Sequence, residues 1–138
     1  MFDDHRFEDE YLDVLQNIEF AIISVYRQHP ELADWDALDA VEALIRVYTA
    51  ETRGRPRPDI RLNDLPQGVF EFVQAMCEWR LGREEMLTSD DQPVDMSIEP
   101  KSVDEILACL KRIRKSIRHW TKEGGRRGYL DFVAQFVR

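Results

Sequence analysis

Nucleophilic catalysis by a serine or cysteine needs a base within reach, and the chain has three histidines to supply one: His5, His29 and His119. None is well placed. His5 lies near the start of the chain, His29 precedes a proline, and His119 sits in a run of cations. Cys77 and Cys109 each fall inside an apolar helical repeat, far from any Cys-x-x-Cys spacing, and read as small core residues. The His-x-x-x-His spacing of a metal site does not occur, and His5-x-x-Glu8 reverses the order that a di-iron bundle requires. No metal, cofactor or catalytic group is expected.

Two charged residues fall on apolar faces. Glu19 lies between Leu12 and Tyr26 on one helical wheel, and Arg80 lies near the stripe of Val69, Val73 and Met76 on another. Buried opposite charges are tolerated when bonded to each other, so Glu19 and Arg80 are a candidate pair. Together with Tyr11, Tyr48 and Trp79 they could line a pocket between helices. Alternatively, Arg80 reaches solvent from its helix end and Glu19 stays at the core margin.

Cations form three features. Arg53-Gly54-Arg55-Pro56-Arg57-Pro58 resembles the core of an AT-hook over four residues, Arg53 to Pro56. That resemblance implies arginines entering the minor groove of A·T-rich DNA. It departs from the pattern because Thr52 precedes Arg53 and because the segment joins two helices; the structural reading is a helix cap at Gly54 and an exit stiffened by prolines. Gly124-Gly125-Arg126-Arg127-Gly128 could offer backbone N–H groups and two guanidinium groups to an anion, or serve as a plain turn. Finally, Lys111, Arg112, Lys115, Arg118, His119 and Lys122 share one side of a helical wheel, facing either solvent and acidic neighbours or an anionic partner.

Five amphipathic segments must position these groups. Phe7, Tyr11, Val14, Leu15, Ile18, Ile22, Val25 and Tyr26 recur at helical spacing, and His29-Pro30 ends that helix near Gln28. A second helix begins near Asp34 or Asp36 as N-cap and ends at Gly54. A third runs from Pro66 to Leu81, with Gly82 as terminator. Ser102 and Glu105 have the spacing of a capping box before a fourth helix, which stops at Gly124-Gly125. Tyr129, Phe132, Val133 and Phe136 mark a short fifth helix. The expected fold is an all-α, single-domain bundle spanning residues 1–138, with four long helices and a short C-terminal one. The long connectors, residues 53–65 and the acidic 82–101, could add a minor two-stranded ribbon from Ile60 and Leu62 with Val94, Met96 and Ile98.

The 138 residues carry a net charge of −8, yet residues 102–127 carry eight basic side chains against three acidic, leaving −13 elsewhere. This split argues against non-specific polyanion binding by the whole chain and for a local basic surface. The acidic start lacks the features of a secretory segment, and the apolar run Ile18 to Tyr26 is too short for a bilayer, so a cytoplasmic protein without membrane contact is expected. Phe20 and Ile23 give the first helix a second apolar side, a candidate homodimer contact. The function that follows is a non-catalytic adaptor or regulator working through a protein partner or itself. Its candidate contacts are Arg53, Arg55, Arg57, Lys111, Arg112, Lys115, Arg118, Lys122, Arg126 and Arg127. The alternatives are a nucleic-acid-associated regulator using Arg53 to Pro58 and the basic fourth helix, and a small-ligand binder or enzyme with a pocket between helices.

Overall fold

The computed structural model describes residues 4–60, 64–85, 90–92 and 99–136, with the side chains of 4–12 and 64–67 outside the described set. The protein is an all-α bundle. Its elements are α1 (Asp4–Gln28), α2 (Asp34–Thr52), α3 (Asp64–Arg80), α4 (Val103–Gly124), a single 3₁₀ turn (Gly125–Arg127) and α5 (Gly128–Ala134). α3 starts two residues before Pro66, which is tolerated because first-turn positions have no intrahelical acceptor for their N–H. Among the described residues there is no strand; Ile60 lies in irregular chain, while Leu62, Val94, Met96 and Ile98 fall outside the described residues.

The helix ends follow local chemistry. Ser102 Oγ accepts the Glu105 N–H at 3.2 Å, capping α4 as the Ser-x-x-Glu spacing predicts. Gly54, at φ +65°, ends α2 with the Gly54 N–H on Glu51 O and the Arg55 N–H on Ala50 O, a Schellman closure. Gly82, at φ +76°, closes α3 in the same way through Trp79 O and Glu78 O. The α2 start differs from expectation. Ala33 is the N-cap, and Asp36 in the first turn accepts the Ala33 N–H at 2.8 Å. Asp34 is thereby left with its carboxylate free for another helix.

α2 packs against α4 and α3, α1 against α3 and α4, and α5 lies across α4 and α1. Tyr26, Tyr48, Tyr129, Ile18, Ile22, Ile23, Leu44, Ile113 and Ile117 are among the largest fully buried side chains. Each large aliphatic residue so buried contributes about 2 kcal/mol. With three neighbours, α1 uses nearly its whole circumference, which is why its apolar residues are not confined to one stripe.

Candidate interaction site

The Arg53–Pro58 segment turns back along the end of α2. Arg57 is ion-paired although its side chain stays exposed. Its guanidinium sits 3.2 Å from Glu78 Oε1 and 3.9 Å from Glu51 Oε2, with its centre 5.9 Å from the Tyr48 ring. Glu78 also accepts the Tyr48 hydroxyl at 2.9 Å, and Arg83 bonds Glu51 at 2.6 Å. That bond holds the Glu51 carboxyl below the usual glutamate range. Arg57 is therefore part of a network joining α2, its exit segment and α3. Arg53 and Arg55 are exposed too, and with Arg46 they line an open groove of about 350 Å³ to which Arg57 does not contribute.

A carboxylate of the chain itself lies beside the Gly124–Gly128 turn, held by residues that flank the turn on either side. Asp34, fully buried, accepts Thr121 Oγ1 at 2.7 Å, the Tyr129 N–H at 2.8 Å and the Leu130 N–H at 3.2 Å. These N–H groups are the second and third of α5, the ones an N-cap side chain normally satisfies. Arg126 donates to Glu31 O and lies 5.6 Å from the centre of the Trp35 ring; Arg127 donates to Pro30 O at 2.9 Å. Both arginines thus hold the α1–α2 turn.

On α4, Lys111, Arg112, Lys115, Arg118 and Lys122 are all exposed. Arg118 pairs with Glu42 of α2 at 2.6 Å, and Arg112 lies close enough to Glu19 to influence its titration. Lys111, Lys115 and Lys122 form a solvent-facing stripe four and seven residues apart. His119 stands edge-on to Trp120, which stacks on Phe132 at 4.1 Å.

The Glu19–Arg80 pair is not made, because each finds another partner. Glu19 accepts the Tyr129 hydroxyl at 2.9 Å, and burial raises its carboxyl above the ordinary range against the opposing effects of Tyr129 and Arg112. Arg80 is 3 % exposed and bonds Asp13 at 3.0 Å, with Trp79 alongside. The Tyr11 side chain lies outside the described residues, and the Tyr48 hydroxyl donates to Glu78. The second face of α1 does not survive intact: Ile23 is 2 % exposed within this chain's own core, while Phe20 is 40 % exposed.

Two placements escape sequence reasoning. Arg46 joins Arg53 and Arg55 although it lies two helical turns earlier; the signal is its i, i+7 spacing from Arg53. Asp34 reads as a cap for its own helix, and nothing in linear spacing connects it to α5. Among the described residues no group of three or more His, Cys, Asp or Glu is arranged to hold a metal, and no helix is long and apolar enough to cross a membrane. Fold and surface thus define an all-α bundle with a basic helix face and an arginine-lined groove. Comparison with protein-family models, curated proteins and solved structures finds no match.

Proposed function

We propose that this chain is a non-catalytic, cytoplasmic helical protein that acts through protein–protein contact, its α4 stripe meeting an acidic surface on a partner. The observation that carries this reading is Lys111, Lys115 and Lys122, exposed along one line of α4 while Arg57, Arg118, Arg126 and Arg127 are engaged within the chain. Such a stripe steers an oppositely charged surface and sets register more than it adds raw affinity. The nucleic-acid reading loses Arg57 as a free contact. A second copy is the alternative partner, favoured by the exposed ring of Phe20.

Photo-cross-linking in native lysate from a photoreactive residue at Ala108, which is exposed on the same line of α4, tests the reading when followed by peptide mapping. Adducts to an acidic segment of another protein are expected, and Lys111→Glu with Lys115→Glu and Lys122→Glu should abolish them. Adducts unaffected by the reversal overturn it. Adducts confined to a second copy, lost in Phe20→Asp, transfer the reading to the homodimer.

A further inference from the structure

The groove beside the α2 terminus has a composition that the lysine stripe lacks. Ile45, Ala50, Pro56 and Pro58 supply apolar lining, Thr49 supplies a hydroxyl, and Arg46, Arg53 and Arg55 stand exposed around them. Its shape is built by two bonds. The Arg55 N–H on Ala50 O, 2.9 Å, folds the exit segment back against the last turns of α2, and Gly54 supplies the left-handed residue this reversal needs. The Arg57 ion pairs with Glu78 and Glu51 then anchor the segment from its opposite side. The wall is held at both ends.

We infer that this groove is a docking site for an acidic peptide segment of a partner protein, one that places an apolar side chain on the Ile45–Ala50–Pro58 floor and carboxylates against Arg46, Arg53 and Arg55. The three cations stand out on a chain of net charge −8, and their complement is an anionic ligand. Arginine suits carboxylates because its planar fork donates two parallel bonds. Exposed ion pairs contribute little singly, so the apolar floor must supply the rest. A volume of about 350 Å³ lies at the small end of ligand sites and accommodates individual side chains. A·T-rich DNA is disfavoured by geometry. Arg53-Gly54-Arg55 is wound into a helix closure, Arg57 is tied to Glu78, and Glu51 and Glu78 lie next to the segment.

Fluorescence anisotropy with a short labelled peptide alternating aspartate and leucine tests this site. The peptide should bind at low salt and weaken as salt rises. Arg53→Glu with Arg55→Glu should lower affinity at least about tenfold, and the exposed Arg46→Gln should lower it less. Lys111→Gln with Lys115→Gln and Lys122→Gln, compared at about 0.15 M salt where distant charges are screened, should change it far less than the arginine reversals, so failure here is distinguishable from failure of the α4 surface. A serine–leucine peptide and a poly-aspartate peptide should each bind more weakly. Three results overturn the inference: no binding at low salt, binding insensitive to the arginine changes with circular dichroism unaltered, or tighter binding of an A·T-rich duplex than of the acidic peptide.

Discussion

Asp34 accepts the backbone N–H of Tyr129 at 2.8 Å across 95 residues of chain, capping α5 from the first residue of α2. The same carboxylate holds Thr121 of α4, so three helices meet on one buried anion. Tyr129 continues the connection to α1, its hydroxyl on Glu19 at 2.9 Å.

Removing this anion should unlock α5. Asp34→Ala leaves two helix N–H groups and a hydroxyl without their acceptor, a loss of about 3 kcal/mol. Asp34→Asn keeps an oxygen and should cost less. Urea unfolding followed by tryptophan fluorescence measures both, with Trp120 reporting through its stack on Phe132.

Gly128 provides a second lock. A Cβ placed there would lie 2.1 Å from Trp120 O, a backbone atom held in α4. Gly128→Ala should therefore destabilise by about 3 kcal/mol as α5 is pushed off α4. Gly68, with open space around its Cα, should accept alanine without such a clash, and the difference in melting temperature between the two variants checks the claim.

Arg80 should couple to Asp13 and not to Glu19. In double-mutant cycles, Arg80→Met with Asp13→Asn should show an interaction of about 1 kcal/mol, whereas Arg80→Met with Glu19→Gln should be additive. Strong coupling in the second cycle would reinstate the Glu19–Arg80 pair.

Glu19 carries a pH signature. Burial disfavours its charged form and raises its folded pKa, so the native state binds this proton more tightly than the unfolded chain. The stabilisation is fully present below the unfolded pKa and is lost as pH rises through the folded value. Glu19→Gln, which retains an acceptor for Tyr129, should gain stability relative to wild type as pH climbs above the ordinary glutamate range. Parallel urea midpoints for the two proteins across that range would contradict the assignment.

Much of the fold was legible because helical periodicity and capping are local. Ser102 with Glu105, and the glycines at 54, 82 and 124–125, mark helix ends through bonds made within a few residues. The charge site was half legible. Residue types alone showed where cations cluster, yet a guanidinium takes the acceptor that packing brings near, and packing brought Glu78 to Arg57, Glu42 to Arg118, and the carbonyls of Pro30 and Glu31 to Arg127 and Arg126.

What the linear sequence determined by itself was an all-α chain and its helix boundaries to within a few residues. Only the tertiary structure decided that Asp34 of α2 caps α5, that Ile23 is spent on the chain's own core, and that Arg46 joins Arg53 and Arg55 at one groove. The physical reason is range. Backbone caps and helical faces are set by neighbours three or four residues apart, whereas charge partners are chosen among all groups that folding makes adjacent, with no signature in local spacing.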